Sequence, residues 1–191
     1  MTTKVIYASQ TDAKLDSNVL TGGGTDDTLA LQKVLDLSQE HGGIHLVVDG
    51  AALITGLIVH SNTTIECLNK ACGFYLADHS NRPLMTNANP SAQEIVDRNI
   101  TLIGGTYNHN CMHQAHHLPE DVHYSQADLF VVAISFFGVE NLLVRDVTIR
   151  NQRTFAFLIT NWQRVTMENI CLELPDFIHG GNQDGIHVQG P

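Results

Sequence analysis

Apolar and polar residues alternate in the same order twice between residues 133 and 174, at a repeat spacing of 23. When the sequence is shifted by this spacing, AISFFGVENLLVRDVTIRN falls on AFLITNWQRVTMENICLEL, with apolar residues matched at eight positions. The matched pairs are 133/156, 134/157, 136/159, 139/162, 142/165, 144/167, 147/170 and 149/172. The alternation changes phase at Arg145-Asp146 and again at Glu168-Asn169, so each copy is predicted to contain short strands separated by corners.

A repeated unit of this size cannot bury an apolar face alone and is stabilised by stacking on its neighbours, as in a solenoid. A leucine-rich repeat has a similar period, but it needs leucines at fixed spacings and a helical or 3₁₀ return, and residues 139–174 show neither. Strands on every side favour an all-β solenoid, a parallel β-helix. We expect residues 1–191 to form a single domain of this kind.

One amphipathic helix is predicted ahead of most strands, over about residues 26–40. Thr25 or Asp26 is placed to cap its N-terminus, where acidic residues suit the helix dipole. Its predicted inner face consists of Leu31, Val34, Leu35 and Ser38. We expect this helix to cover the open end of the first rung, where strand edges and core would otherwise face water.

Shorter patterns fill the first half of the chain. Strands are predicted at residues 4–8, 44–48, 53–55, 57–60, 63–68 and 74–77, and Gly22-Gly23-Gly24 is interpreted as a turn. Residues 81–97 contain two prolines and three asparagines and are predicted to form a surface loop. Residues 98–102 match residues 140–144 at a spacing of 42, which indicates an insertion at residues 108–128.

The insertion is rich in possible ligands: His109, Cys111, His113, His116, His117 and His123 lie within fifteen residues. Loops inserted at one corner of a solenoid gather on one face and commonly form its binding surface. His113 and His116 are therefore candidate substrate contacts, in a polar lid whose imidazoles hydrogen-bond substrate or water. A transition-metal site is the alternative. No spacing here matches a zinc signature, so we expect no metal and no other cofactor.

Composition narrows the range of partners. Ten Lys plus Arg against twenty Asp plus Glu give a formal charge of -10, which argues against nucleic acid and is unfavourable for a polyanionic ligand. No apolar run is long enough to span a membrane. The start MTTKVIYASQ lacks the apolar core of a secretory signal, so the chain is expected to be cytoplasmic as written, or secreted if a leader has been removed. Its four cysteines follow no zinc-finger or disulfide spacing.

Two stretches resemble known families. The hexapeptide Asn182-Gln183-Asp184-Gly185-Ile186-His187 resembles the Asn-Thr-Asp-Gly signature of the polygalacturonase family of glycoside hydrolases, with Gln183 in place of Thr. The stretch Gly24-Thr25-Asp26-Asp27-Thr28-Leu29-Ala30-Leu31-Gln32 is similar to the capping helix of the wider pectate-lyase-like β-helix superfamily. The two stretches lie near opposite ends of the chain, with the repeat between them.

This resemblance implies a right-handed parallel β-helix that hydrolyses glycosidic bonds in polysaccharides with inversion. Such hydrolysis needs one carboxylic acid to protonate the leaving oxygen and one carboxylate to activate water. Asp184 matches the family's first catalytic aspartate, Asn182 would orient the site, and His187 is a candidate substrate contact. The family's paired aspartate, histidine and basic pair come from later rungs. The chain is therefore expected to be the N-terminal part of a longer enzyme, with an uncapped C-terminal end open to self-association.

Several of these assignments have alternatives. The carboxylate of Asp184 could instead cap the Asn/Gly turn through backbone N–H groups, and neither Glu173 nor Asp176 matches a family catalytic position. Arg153, one rung earlier, is either a sugar contact or part of a solvated corner, and Trp162 is predicted to pack within its rung. The alternative function is a non-catalytic carbohydrate-binding or structural β-helix, of the tailspike or adhesin type.

Overall fold

The computed structural model describes residues 3–115, 131–178 and 182–190. Its helices are α1 (Thr28–Asp36) and α2 (Ser38–His41), with 3₁₀ turns at Ala8–Gln10 and Cys111–His113. The strands are β1 (Lys4–Tyr7), β2 (Ile44–Val48), β3 (Ala51–Ile54), β4 (Leu57–Val59), β5 (Thr63–Cys67), β6 (Gly73–Leu76), β7 (Met85–Asn87), β8 (Asp97–Ile103), β9 (Thr106–Asn108), β10 (Ile134–Arg145), β11 (Thr148–Arg150), β12 (Phe157–Glu168), β13 (Cys171–Glu173) and β14 (Ile186–Gln189). Neither helix of these described ranges is both long and apolar enough to cross a membrane.

The strands pair in parallel and form three rows. The first row contains β1, β2, β5, β8 and the second halves of β10 and β12. The second row contains β3, β6, β9, β11 and β13. The third row contains β4, β7, the first halves of β10 and β12, and β14. The chain visits the rows in this order and then repeats the circuit, which gives the β-helix-like all-β fold that the repeat predicted.

The predicted repeat is the pairing register of the strands. Ile134 pairs with Phe157 and Ile149 pairs with Leu172, which are the partners that the shorter repeat spacing predicts. Tyr107 pairs with Ile149, as the longer spacing across the insertion predicts. Both spacings are therefore confirmed.

Left-handed backbone conformations recur at the same place in successive rungs. The strand β10 bends at Gly138 (φ 71°) and Asn141 (φ 56°), and β12 bends at the aligned positions of the repeat, Asn161 (φ 52°) and Arg164 (φ 63°). Asparagine and glycine adopt this conformation more readily than most residues. These bends explain why strands of 12 residues, longer than predicted, each serve two rows.

One buried apolar cluster fills the interior from Leu35 of α1 to Ile159 of β12. A smaller cluster of Val132, Phe137, Phe155 and Leu158 lies on the outer side of the third row. The four cysteines are unbridged, and burial raises the pKa of the Cys67 thiol to about 12. This thiol therefore packs as a small hydrophobic side chain.

The helix α1 begins slightly later than predicted, at Thr28. The N-cap position is occupied by Asp27, without a side-chain capping bond, so the prediction of Thr25 or Asp26 as the cap is wrong; Asp26 accepts a hydrogen bond from the N–H of Thr28, the first helical residue, at 2.9 Å. The buried carboxylate of Asp27 instead accepts from the backbone N–H groups of Lys14 (2.6 Å) and Leu15 (2.9 Å). Asp26 thus bonds to the first residue of α1, and Asp27 bonds to the loop that precedes the helix.

The helix α1 replaces a strand at the edge of the first rung. The Gln32 Nε2 donates to the Ile58 carbonyl oxygen at 3.0 Å, and the Ile58 N–H donates to Gln32 Oε1 at 2.8 Å. Thr28 Oγ1 accepts from the Thr55 N–H at 2.7 Å. The predicted inner face of Leu31, Val34, Leu35 and Ser38 is buried. These contacts provide the predicted cover over the strand edge.

The prediction of a surface loop over residues 81–97 is wrong in its middle. The strand β7 pairs with β4 and β10, and Leu84 and Met85 are fully buried. Asn87 accepts a hydrogen bond from the Phe137 N–H and donates one to the Phe137 carbonyl oxygen, both at 2.9 Å. Asn87, one of the asparagines from which a loop was predicted, is therefore buried between the stacked strands, where it bonds to both backbone groups of Phe137.

The last described rung has a partly open face. Trp162 packs against the main core, as predicted, together with the partly buried Val165, Met167 and Ile170. Ile186 and Val188 pair with inward-facing residues of β12, yet they are 44% and 43% exposed. Among the described residues, no further strand covers these side chains.

Candidate active site

The motif at residues 182–187 spans the end of a corner and the start of β14. This corner recurs between second-row and third-row strands, and we call it the motif corner. Its described residues are 55–56, 77–84, 109–115 with 131–133, 151–156, and 174–178 with 182–185. The His-rich insertion leaves from this same corner. The Cys111 N–H donates to the Asn151 carbonyl oxygen at 3.0 Å, and Cys111 Sγ donates to the Asp176 carbonyl oxygen at 3.5 Å. The start of the insertion therefore contacts the corners of the next two rungs.

The Asp184 side chain is exposed while its backbone is held in place. The Ala156 N–H donates to the carbonyl oxygens of Asp184 (3.1 Å) and Gly185 (3.0 Å), which fixes the turn against the rung below. With its amide nitrogen facing the carboxylate, Asn182 donates to both Asp184 carboxylate oxygens at 3.2 Å. No backbone N–H of the described residues donates to this carboxylate. Asn182 and Asp184 are thus neighbours within one turn, and their roles in a reaction remain predictions.

Gln183, which stands where the family signature has threonine, connects two turns. Its Oε1 accepts a hydrogen bond from the Ile178 N–H at 3.1 Å, and its Nε2 donates to the Gln152 carbonyl oxygen at 2.8 Å. The longer amide side chain reaches the corner of the preceding rung. Gln183 therefore helps to position the residues on either side of it.

His187 forms an aromatic stack with Phe155. The ring centroids lie 4.9 Å apart and the ring planes differ by 16°. Sequence reasoning selected His187 and missed Phe155. The strand register could have pointed to Phe155. Phe157 pairs with Ile186, so Phe155 and Asp184, each two residues earlier, lie side by side on adjacent rungs. Phe155, which is buried, thus supports one face of the partly exposed His187 ring from the preceding rung.

Arg153 does not lie in a solvated corner. Its Nε donates to the Gln114 carbonyl oxygen at 3.0 Å, and its backbone N–H donates to His109 Nδ1 at 3.0 Å. These bonds tie Arg153 to the start of the insertion. Its predicted contact with substrate remains a prediction.

His109 is fully buried, so it is not part of a polar lid. Because its Nδ1 accepts from Arg153, the ring carries its proton on Nε2, which donates to the Arg82 carbonyl oxygen at 3.1 Å. Burial lowers the pKa of His109 to about 4, and the nearby Arg153 charge acts in the same direction. This neutral imidazole joins three rungs of the motif corner.

His113 pairs with Asp78, in a part of the motif corner closer to the N-terminus. Its Nδ1 lies 3.0 Å from Asp78 Oδ1, which also accepts a hydrogen bond from Asn110 Nδ2 at 2.8 Å. The Asn110 bond, followed by the His113 charge, lowers the pKa of Asp78. No described contact joins His113 to Asn182, Asp184 or His187. The structure thus places these predicted residues along one corner without gathering them at one point.

The remaining histidines of the insertion, His116, His117 and His123, lie outside the described residues. Within the described ranges, no group of three or more His, Cys, Asp or Glu side chains could hold a metal ion.

The two carboxylates closest to Asp184 in sequence are engaged elsewhere. Glu173 accepts a hydrogen bond from Arg150 Nη1 at 2.5 Å. Asp176 Oδ2 accepts from Asn151 Nδ2 at 2.7 Å. Each of these carboxylates thus has a hydrogen-bond partner other than Asp184.

Comparison with solved structures shows the fold. The chain is similar to a "putative glycosyl hydrolase" from Parabacteroides merdae ATCC 43184, with a TM-score of 0.70, 15% identity, and coverage of 98% of this chain and 96% of that chain. It is similar to the family 28 exopolygalacturonase of Yersinia enterocolitica, with a TM-score of 0.75, 15% identity, and coverage of 98% of this chain and 41% of that chain.

A third similar structure is the pre-mature gene product 12 of bacteriophage phi29, with a TM-score of 0.60 and 20% identity, over 86% of this chain and 21% of that chain. The chain thus spans less than half the length of the exopolygalacturonase and of the phage protein. No protein-family model matches the sequence, and no curated protein matches it. At these identities the likeness shows a common fold and leaves function to be argued from the site.

Proposed function

We propose that this chain is part of a polysaccharide-active glycoside hydrolase of the polygalacturonase-like, inverting type, built on a right-handed parallel β-helix. The observation that carries the proposal is the Asn182 amide directed at the exposed carboxylate of Asp184. The resemblance of the hexapeptide supports it, as does the fold shared with an exopolygalacturonase.

In this proposal Asp184 acts as the general base. Its carboxylate accepts a proton from a water molecule whose oxygen attacks the anomeric carbon. A second carboxylic acid gives its proton to the leaving oxygen as the glycosidic bond breaks, from a position about 6.5 to 9.5 Å from the first carboxyl group. The Asn182 amide holds the plane of the carboxylate, and the partly exposed His187 ring, supported from behind by Phe155, offers a surface for a sugar ring.

The acid partner is proposed to come from another rung. Glu173 and Asp176 are held by Arg150 and Asn151, so they do not supply it. The resemblance implies that the paired aspartate and the basic residues of the family lie on later rungs than Asp184.

Replacement of Asp184 by asparagine tests the proposal in the full-length natural protein. Asparagine keeps the shape of the side chain and cannot take up the proton. With polygalacturonate as the probe and release of reducing ends as the assay, we expect turnover to fall by orders of magnitude while the apparent binding constant changes little.

Asp146→Asn is the matched control. Asp146 is an exposed aspartate at a different corner, and its left-handed φ of 58° suits asparagine. We expect this variant to keep both turnover and thermal stability. If Asp184→Asn retains near-normal turnover, or loses thermal stability instead, Asp184 is a structural cap and the catalytic role is wrong.

A second candidate function is carbohydrate binding without hydrolysis. It is favoured by the engagement of Glu173 and Asp176 elsewhere and by Gln183, which uses both ends of its amide within the turn. Binding to glycans on an array, together with no cleavage of any bound glycan by the full-length protein, would favour this function. Cleavage of a bound glycan would exclude it.

A further inference from the structure

The turn at Gly22-Gly23-Gly24 borders an opening of about 320 Å³, which Tyr75 of β6 also lines. The turn packs directly on the Tyr75 ring, since a Cβ at Gly22 would lie 2.4 Å from its Cε1. With a φ of 70° as well, only glycine fits at position 22. The Gly22 N–H donates to the Asn18 carbonyl oxygen at 2.8 Å. The opening is therefore a fixed feature of the fold, with a volume at the lower end of the range for small-molecule sites.

Asp78 and His113 bring the motif corner to the same opening. Their side chains are 58% and 53% exposed, so a ligand can reach both. The His113 N–H donates to the Asn110 carbonyl oxygen at 3.0 Å, and the His113 carbonyl oxygen accepts from the His79 N–H at 2.9 Å. The pair is thus oriented before any ligand binds, which lowers the cost of binding.

Three polar atoms of these side chains have no hydrogen-bond partner among the described residues, namely Asp78 Oδ2, His113 Nε2 and the Tyr75 hydroxyl. Asp78 uses only Oδ1, which accepts from Asn110 Nδ2 and from His113 Nδ1. An ionised carboxylate can only accept, so His113 carries its proton on Nδ1, and Nε2 of the neutral ring is an acceptor. The Tyr75 side chain is partly exposed. The opening thus offers two acceptors and one hydroxyl group to a ligand.

The charges around the opening favour a neutral ligand over an anion. The hydrogen bond from Asn110 lowers the pKa of Asp78, so this carboxylate is ionised at neutral pH. Burial, followed by the charge of Asp78, raises the pKa of Tyr75, so its hydroxyl keeps its proton. The described residues that line the opening include no lysine or arginine, while Leu53 and Ala77 add apolar surface. A ligand with hydroxyl groups can therefore use these atoms, whereas a carboxylate would be repelled by Asp78.

We propose that this opening binds a neutral sugar unit, whose hydroxyl groups donate to Asp78 and His113 and accept from Tyr75. The choice of a sugar rests on the proposed function. Asp78 and Asp184 lie three rungs apart along the motif corner, about 14 Å at a strand spacing of about 4.8 Å, so one glycan chain can reach both. The glycan is then uncharged at this distance from Asp184, as a methyl-esterified galacturonan is and a free galacturonan is not.

The experiment is a calorimetric titration of the full-length natural protein, with Asp184→Asn as the host so that bound glycans are not cleaved. The ligands are free hexagalacturonate and a set of neutral hexasaccharides: cellohexaose, xylohexaose, mannohexaose, β-1,4-galactohexaose and the methyl ester of hexagalacturonate. We expect at least one neutral ligand to bind, and Asp78→Asn to weaken its binding about tenfold through loss of a charge-assisted hydrogen bond. Free hexagalacturonate should bind Asp78→Asn at least as tightly as the host, because the repelling charge is gone.

Asp146→Asn is the matched control at a different corner. The Asp146 side chain is 52% exposed and accepts from Asn169 Nδ2 at 2.7 Å, much as Asp78 accepts from an asparagine amide. This variant should leave binding unchanged, whereas Tyr75→Phe, which loses only the hydroxyl, should weaken the neutral ligand about fivefold. The proposal is overturned if no neutral hexasaccharide binds, if Asp78→Asn binds it as tightly as the host, or if Asp78→Asn weakens neutral and acidic ligands alike. Turnover of the wild type against Asp184→Asn decides the hydrolase proposal separately, so the two failures are distinguishable.

Discussion

Asn141 donates a hydrogen bond from its Nδ2 to Asn99 Oδ1 at 3.0 Å, and the two residues occupy equivalent left-handed positions of adjacent rungs. Asn99 donates in turn to Asn62 Oδ1 at 2.7 Å. The next position of this ladder is Arg164, whose φ of 63° is unfavourable for arginine. The ladder therefore stops at Asn141, whose buried Oδ1 has no partner in the described chain.

Arg164→Asn is expected to extend this ladder. Asparagine accepts the left-handed conformation, and its Nδ2 can donate to Asn141 Oδ1. We expect the free energy of unfolding to rise by about 1 kcal/mol, measured by urea denaturation. Arg164→Asp is the control, since aspartate has the same shape and no donor. Equal stability of the two variants would contradict the prediction.

His109 is expected to make the protein sensitive to acid. The unfolded chain takes up a proton at this histidine near pH 6.5, whereas the folded chain does so only at about pH 4. The free energy of unfolding should therefore be unaffected by His109 above pH 6.5 and fall by about 1.4 kcal/mol per pH unit as the pH is lowered through this window. Urea denaturation at several pH values measures this slope.

His109→Asn supplies the comparison for the acid effect. Its Oδ1 can still accept from the Arg153 N–H, but it cannot be protonated in this range. The variant should be less stable at neutral pH, because the bond to Arg82 is lost, and it should show a shallower decline between pH 6.5 and pH 4. A decline as steep as that of the wild type would assign the acid effect to other groups.

The strand-like pairing of Gln32 with Ile58 is expected to stabilise the first rung. Gln32→Ala removes both hydrogen bonds at the edge of β4 and should lower the free energy of unfolding by about 1 to 2 kcal/mol. Lys33→Ala, at the next and exposed position of α1, should have little effect. Hydrogen exchange at the Ile58 amide gives a local measure, and unchanged protection in Gln32→Ala would show that the helix does not protect this edge.

The open face of the last described rung is expected to cause self-association of the chain of residues 1–191. Half-exposed apolar side chains beside unpaired strand edges favour contact with a second copy. Sedimentation velocity should show a mass that rises with protein concentration. Val188→Lys should reduce this rise, while Leu29→Lys, at a 69% exposed position of α1, should not. A monomer at all concentrations would contradict the prediction.

Sequence patterns predicted the stacking of the repeated strands, but they missed strands that depart from the repeat. The repeat gave the register between Ile134 and Phe157, because inward-facing apolar residues must align for the rungs to stack. It missed β7, because Asn87 uses a side-chain amide for bonds that a strand normally makes with its backbone. The sequence shows that Asn87 is polar, but it does not show that the backbone groups of Phe137 in β10 will be its hydrogen-bond partners.

In the candidate site, too, the sequence revealed residues that are close together in the chain and missed those that meet only in the folded structure. Asn182 and Asp184 were recognisable because the motif is contiguous in sequence. His109 was misjudged, since burial of a histidine depends on partners as distant as Arg82 and Arg153. Phe155 was missed because its relation to His187 exists only after the strands are stacked.

The motif corner varies greatly in length, from two residues at 55–56 to the whole segment 109–133. The corner between the first and second rows is short in every rung except one, and it includes Gly104-Gly105 and Asp146-Val147. A change of length at the motif corner leaves the pairing of all three rows intact, since the added residues leave and rejoin the stack at the same level. This chain can therefore serve as a frame for loop exchange at the motif corner, in which segments of different length and chemistry alter what is bound while buried residues such as Leu84 and Ala156 are kept.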